Sequence, residues 1–398
     1  MNQQIKKRIE EINNGIVPKG FEKTDQGIIN KDFVNNKTFI GDLGKFCGGG
    51  TPQTNVLNYW NGNIPWISSS DIIEDNINYI NGKHFITEEA IKQSATKICP
   101  PNTIHIVSRV GVGKVAISKC ERCTSQDFIN LYNCDGNIEY LAYMIKNRIN
   151  NGLRKLQGTS IKGISSDEIK KNELYITKDI KEQEKIAEIL MKWDTAIDLQ
   201  EKYIQKLEER KKNILKKIFS NNDNCTPICM SEIGDLYQPT TISESELTND
   251  GYLVYGANGI LGKYTKYNHE KSEIAITCRG STSGMVVFTE PKSWITGNAM
   301  VFKINENKFN KKYIYYLCSY RGFKDVVSGS GIPQITRSSL QKIKLKVLSD
   351  IKEQKEITDI IDKVNEEINL QKEKLEKLKQ QRKALQQYLL TGVVKVEL

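Results

Sequence analysis

From Ile186 the apolar positions recur at alternating steps of four and three: Ile186, Leu190, Trp193, Ile197, Gln200, Ile204, Leu207, Lys211, Ile214 and Ile218. Only Gln200 and Lys211 are polar, so the series reads as a coiled-coil seam sustained over several heptads. A second series has the same spacing: Ile357, Ile361, Val364, Ile368, Gln371, Leu375, Leu378, Arg382, Leu385 and Leu389. Its polar interruptions, Gln371 and Arg382, fall at the same two places. The rest of the chain has a different texture. From about Lys37 to Lys178, and again from about Met230 to Ser349, short β-branched runs alternate with Gly, Ser and Asn turns, the pattern of strand-rich blocks.

The blocks and helices belong to an internal repeat. Asp179-Ile180-Lys181-Glu182-Gln183 recurs as Asp350-Ile351-Lys352-Glu353-Gln354, and Gly158-Thr159-Ser160-Ile161 matches Gly329-Ser330-Gly331-Ile332 at the same offset. Farther upstream, Ile40-Gly41-Asp42-Leu43 matches Ile233-Gly234-Asp235-Leu236. Self-similarity of this kind decides architecture before any local motif does. The expected fold is α+β, two mixed α/β domains separated by a long antiparallel two-helix coiled coil with a pseudo-twofold internal repeat. Its segments are an N-terminal helical lead over 1–36, a first domain over 37–178 and a first helix over 179–220. A second domain with its leading linker follows over 221–349, then a second helix and tail over 350–398.

The shared interruptions suggest how the helices pair. An antiparallel register that sets Gln200 against Arg382 and Lys211 against Gln371 leaves every other layer apolar. The interface then consists of Trp193, Ile197, Gln200, Ile204, Leu207 and Lys211 facing Ile368, Gln371, Leu375, Leu378, Arg382 and Leu385. A one-heptad shift would set polar groups against apolar ones, at about 1–3 kcal/mol for each buried donor left unpaired. Overlap of 192–219 with 363–390 would make a rod of roughly 42 Å, comparable with the ~34–36 Å turn of duplex DNA. Pairing of each helix with another protein is the alternative.

Composition narrows the function. The chain has 398 residues and a formal net charge of +10. Residues 41–178 carry +3 and residues 232–349 carry +5, whereas the helical segments are nearly neutral. An excess placed in the two blocks fits an acidic partner such as nucleic acid, and equally fits plain solubility. No apolar run is long enough to span a membrane, and the charged N-terminus does not read as a secretory signal. Nine scattered cysteines and no export signal point to reduced thiols in a cytoplasm. Three histidines and a single Cys120-x-x-Cys123 with Cys134 nearby make a weak zinc candidate, and no metal site is expected.

Two strand patterns, Thr103–Arg109 and Glu273–Arg279, each end in arginine and enter a Gly/Ser turn. An arginine leaving a strand there can reach phosphate or guanine; a surface arginine supporting its turn is the plain alternative. Lys114, Ser281 and Ser283 lie in or beside these turns. Gly111-Val112-Gly113-Lys114 resembles the end of a P-loop but lacks the upstream glycine and the magnesium-binding Ser or Thr, so nucleotide binding is rejected. Trp66 with Ser68 and Ser69, and Tyr255 with Asn258, combine an aromatic with small polar donors, although such aromatics are more often core. Thr159 and Lys162 in one loop, and Gln334 and Arg337 in its counterpart, flank helix starts that could seat phosphate. No catalytic constellation emerges. There is no Asn/Asp-Pro-Pro-Tyr/Phe tetrad, no G-x-S-x-G elbow and no H-E-x-x-H.

Together these features resemble the specificity subunit of type I restriction–modification systems, over nearly the whole chain. The resemblance rests on Asp179 through Ile218, on Asp350 through Leu390, on the ending Leu389-Leu390-Thr391-Gly392 and on Val17-Pro18-Lys19-Gly20-Phe21. It departs at Ile29-Asn30, where the family often has proline and tryptophan. The resemblance implies a non-catalytic ruler for double-stranded DNA. Each target-recognition domain takes one half-site, while the helices set the spacer and dock two modification subunits. S-adenosylmethionine would then belong to those partners, and ATP and magnesium to restriction subunits where these join; this chain itself would hold no cofactor. A protein-only coiled-coil scaffold and a cryptic nuclease remain the alternatives.

Overall fold

The computed structural model describes residues 3–74, 76–155, 163–220, 224–257, 259–328 and 333–397. The chain divides into two compact units, residues 1–200 with 374–398 and residues 201–373.

The first unit begins with helix α1 (Gln3–Asn13) and a β-hairpin, Phe21–Thr24 with Gly27–Asn30. The lead over 1–36 is therefore helical only in part. It is fastened to the chain's end, since Asn30 N–H donates to the Thr391 carbonyl at 2.9 Å and Arg8 donates to the Val393 carbonyl at 2.7 Å. Strands β1 (Lys45–Gly48), β2 (Ile64–Ile67), β3 (His84–Ile86), β4 (Thr103–Val107), β5 (Val115–Ser118), β6 (Cys123–Thr124) and β7 (Phe128–Tyr132) follow, then helices α2 (Ile138–Lys155) and α3 (Ile180–Ser220). Sheet β1-β7-β4-β5 is antiparallel, and sheet β3-β2-β6 contains one parallel pair, β2 with β6.

The second unit repeats this plan with β8 (Gly234–Tyr237), β9 (Tyr252–Gly256), β10 (Gly259–Tyr264), β11 (Ile274–Thr277), β12 (Val286–Phe288), β13 (Trp294–Ile295) and β14 (Ala299–Ile304). Helices α4 (Lys311–Arg321) and α5 (Ile351–Leu390) follow. The sheets run β8-β14-β11-β12 and β10-β9-β13, again with one parallel pair, β9 with β13. The repeat is thus a repeat of topology, strand for strand.

The near-continuous apolar runs of β4 and β11 are explained by burial on both faces. In β4, Ile104 and Ile106 pack with Tyr140 and Leu141 of α2, whereas Val107 joins Ile67 and Phe128 on the other face. In β11, Ile274 and Ile276 pack with Ile314 and Leu317 of α4, whereas Ala275 joins Tyr255 and Ile295. Side chains alternate across a strand, so one run serves two cores.

The duplicated Asp-Ile-Lys-Glu-Gln has a clear structural use. Gln183 accepts from Asn137 N–H at 2.8 Å and donates to the Thr177 carbonyl at 2.7 Å. Gln354 accepts from Asn310 N–H and donates to the Leu348 carbonyl, both at 2.7 Å. Each glutamine sews the start of a long helix to its own block and is almost fully buried. Asp179 and Asp350 cap those helices through the N–H groups of Lys181 and Lys352. Either Gln183→Ala or Gln354→Ala should cost about 2–3 kcal/mol, because each strands two buried backbone groups; urea unfolding of the full chain reads this directly.

Every seam position of the two helices is buried or half-buried. In the first unit the helices run antiparallel, with Leu190 and Leu389 in one core. Arg382 pairs with Asp194, with Nε to Oδ1 at 2.8 Å and Nη2 to Oδ2 at 3.3 Å, a partner the heptad reading did not name. The heptad reading scored only seam positions, and Asp194 lies one residue off the seam. An ion pair satisfies the buried guanidinium better than an amide could. In the second unit Lys372 pairs with Glu208 at 2.7 Å, two residues from its expected partner.

Candidate nucleic-acid interface

Each unit brings the arginine-ended strand against the residues that enter the next short helix. In the first, Ile164 N–H donates to the Ser108 carbonyl at 2.8 Å. In the second, Ile335 N–H donates to the Cys278 carbonyl at 3.0 Å, and Arg279 forms a bridge with Gln334. Two sequence features some 55 residues apart therefore form one surface, twice over.

On the first unit this surface is a cleft of about 610 Å³. Its lining includes Ser108, Arg109, Gln126, Ser165, Lys170 and Cys47. Arg109 is exposed at its mouth. The turn after it is tight, with Val110 at φ 30° and Gly111 and Gly113 at 92° and 94°. A β-branched residue in the left-handed region is strained, and Val110 is 76% exposed at the tip. Lys170 lies over the Phe46 ring at 5.1 Å. Neither Gln126 nor Lys170 carried a sequence signal of its own; the Ser165-Ser166-Asp167 helix start beside them did.

The helix start itself is not a phosphate seat here. Ser165 and Glu168 form a reciprocal cap, with the carboxylate accepting Ser165 N–H at 2.8 Å and Oγ–H at 2.7 Å. Those hydrogen bonds hold Glu168 below the usual carboxylate range, so a negative charge already occupies the place. In the second unit Thr336 caps Ser339 N–H at 3.2 Å without a carboxylate, and Arg337 follows it exposed. Arg279, Ser281 and Gln334 are exposed as well.

Other candidates have structural roles. Trp66 is buried, donates to the Gly50 carbonyl at 3.0 Å and packs edge-on against Trp60. Tyr255 is buried, with its hydroxyl accepting Glu290 N–H at 3.1 Å. Both aromatics belong to cores: Tyr255 packs between the two sheets with Ala275 and Val301, and Trp66 packs with Ile86, Ala90 and Cys123. Ser68 is half-buried and caps a turn with Asp71, and Ser69 is buried. Ser283 is buried and donates to the Gly280 and Pro333 carbonyls. Lys114 turns inward, donating to the Ile72 carbonyl at 3.2 Å. Thr159, Lys162 and Asn258 lie outside the described residues.

Among the described residues no group of three or more His, Cys, Asp and Glu gathers as a metal site. Cys120 is an exposed free thiol and Cys123 a buried one. No described helix is long and apolar enough to cross a membrane.

Comparison with known proteins agrees with the duplicated plan. The family model described as type I restriction modification DNA specificity domain matches residues 30–209 and again 222–380. The chain is similar to the type I restriction enzyme MjaIX specificity subunit of Methanocaldococcus jannaschii, 36% identical over 203 residues, covering 50% of this chain and 46% of that one. It is also similar to the EcoR124I/EcoR124II specificity subunit of Escherichia coli, 36% identical over 164 residues, covering 39% and 40%. These matches span less than half the length of either relative. The fold is like that of the type I restriction–modification S subunit from M. genitalium, with a TM-score of 0.60 at 17% identity, over 91% of this chain and 96% of that one.

Proposed function

The chain belongs to the type I restriction–modification DNA specificity family, and on that footing we propose that it reads a bipartite duplex DNA target, one half-site per unit. The observation that carries this reading is the paired surface. In each unit an exposed arginine, Arg109 or Arg279, leaves a core strand beside a capped helix start. Guanidinium groups so placed suit phosphate oxygens or a guanine edge. The two surfaces differ in charge, with Glu168 on one and Arg337 on the other, which suits two unlike half-sites. The coiled coil sets the unread spacer and docks two modification subunits, in a bacterial cytoplasm. Restriction subunits join where the system has them. Methyl transfer from S-adenosylmethionine and ATP- and magnesium-dependent steps belong to those partners, and this chain contributes specificity without a bond-making step.

Single substitutions test the assignment. Arg109→Ala and Arg279→Ala should each weaken binding of the assembled complex by about 1–3 kcal/mol, roughly ten- to a hundredfold. Each should relax selection in one half-site only. Competition binding with duplexes altered in one half-site checks this. Uniform weakening across all sequences would reassign the arginine to phosphate, and unchanged binding by both variants would remove these surfaces from the reading.

A further inference from the structure

Cys47 lines the cleft of the first unit, on edge strand β1. Its sulfur lies 3.5 Å from that of Cys99, which is fully buried beneath it. Cys99 is held in place by a two-way backbone bridge to Arg122, at 2.9 and 3.0 Å. Nothing in the fold or in DNA recognition requires two sulfurs in contact. Among the described residues of the second unit no cysteine pair makes such a contact.

We propose that Cys47 is a redox-modifiable thiol with Cys99 as its resolving partner, and that its oxidation displaces edge strand β1, whose Phe46 and Gly48 line the DNA-reading cleft of the first unit, while leaving the second unit's surface unaltered. The functional half of this inference rests on the DNA-reading assignment; the chemical half does not.

The two thiols divide the labour. Contact with Cys99 and Asn130 and the Lys97 charge hold the Cys47 thiol below its usual range, whereas contact with Cys47 and burial hold the Cys99 thiol above it. Two sulfurs already in contact, one half-buried on an edge strand and one fully buried, suit a redox-modifiable cysteine with a resolving partner.

The step balances with a low-molecular-weight disulfide such as glutathione disulfide as oxidant. The Cys47 thiolate attacks one sulfur, an S–S bond forms and the first glutathione leaves as thiolate. Cys99 then loses its proton to solvent, attacks the Cys47 sulfur and expels the second glutathione. Two protein thiols are oxidised to one disulfide, and one glutathione disulfide is reduced to two thiols. Before resolution β1 carries an anionic tripeptide on the sheet face opposite Phe46. After resolution the sulfurs must close from 3.5 Å to about 2.05 Å, drawing β1 toward the Cys99 segment.

The full-length chain is treated with glutathione disulfide and analysed by peptide mass mapping, and duplex binding is measured on the assembled complex. A Cys47–Cys99 disulfide in the wild type, one glutathione on Cys47 in Cys99→Ser and no reaction at this site in Cys47→Ser are expected. The oxidised complex should lose at least tenfold in affinity, with its remaining selectivity confined to the half-site of the second unit, and dithiothreitol should restore it. Cys47 reacting no faster than the other exposed and half-buried cysteines would overturn the chemical half. Disulfide formation with unchanged DNA affinity would overturn the functional half. A reduced complex that binds no duplex, with the disulfide still forming, would count against the DNA-reading assignment and leave the thiol chemistry standing.

Discussion

Asp194→Ala should destabilise the first unit by about 3–5 kcal/mol, the range for breaking one partner of a buried ion pair. The Asp194 side chain is only 4% exposed and that of Arg382 13%. One carboxylate oxygen accepts the Tyr143 hydroxyl at 2.6 Å while both receive the Arg382 guanidinium. The guanidinium also lies 5.5 Å from the Tyr143 ring centroid. Alanine would leave a half-buried cation and a buried phenol without their acceptor. Arg382→Met keeps the stem's packing and removes the cation, yet strands the carboxylate, so it should also destabilise. The double variant should lose less than the sum of the two. Guanidinium unfolding of all four proteins gives that coupling. The contrast is Lys372 with Glu208, whose side chains are 53% and 49% exposed. Breaking that pair should cost under about 1 kcal/mol.

The second large effect is on acid stability. His105 is completely buried in β4, with Nδ1 2.7 Å from Asn130 and Nε2 2.9 Å from Ser118 Oγ. Burial pulls its pKa from 6.5 down to about 4. The folded unit therefore binds this proton less readily than the unfolded chain. The contribution is intact above pH 6.5 and is lost as pH falls from 6.5 toward 4, amounting to about 3 kcal/mol at the lower limit. Below pH 4 both states are protonated and the slope from this group ends. His105→Gln should flatten that part of the stability–pH curve, whatever it costs at neutral pH. The second unit has Ala275 at the corresponding strand position, and its acid-side loss comes instead from His269, which burial also holds below the usual imidazole range, so His105→Gln should leave the second unit's curve unchanged. Hydrogen exchange as a function of pH, read separately on peptides of the two units, distinguishes them.

These residues also show what the sequence could and could not disclose. The helices were legible because a four–three apolar spacing lines one face of a helix and scatters over both faces of a strand. The repeat was legible because Asp-Ile-Lys-Glu-Gln recurs whole. What those five residues do was not legible. Gln183 and Gln354 act on backbone groups of Asn137, Thr177, Asn310 and Leu348, and backbone partners leave no mark in a sequence. The partner of Arg382 was missed for a related reason. A seam pattern fixes which face is apolar, whereas Asp194 and its charge lie one residue off that face. At the site, the two arginines were identifiable from a strand running into a Gly/Ser turn. Trp66 and Tyr255 were not separable from recognition aromatics by type, since burial depends on distant segments packing over them, Ala90 and Cys123 on Trp66 and Ala275 and Val301 on Tyr255. Lys114 and Ser283 illustrate the same point: a donor in a turn serves the turn first when a carbonyl such as that of Ile72 or Pro333 is near.

The central claim is that two units built on one plan read two different half-sites. The most direct test exchanges residues 41–178 for the equivalent block of a related specificity subunit and assembles the chimera with its modification subunits. Duplexes it selects from a randomised pool are then sequenced. One half-site should change to that of the donor, while the other half-site and the spacer stay as in the parent. A chimera that folds and assembles but changes both half-sites together, or neither, would contradict the account.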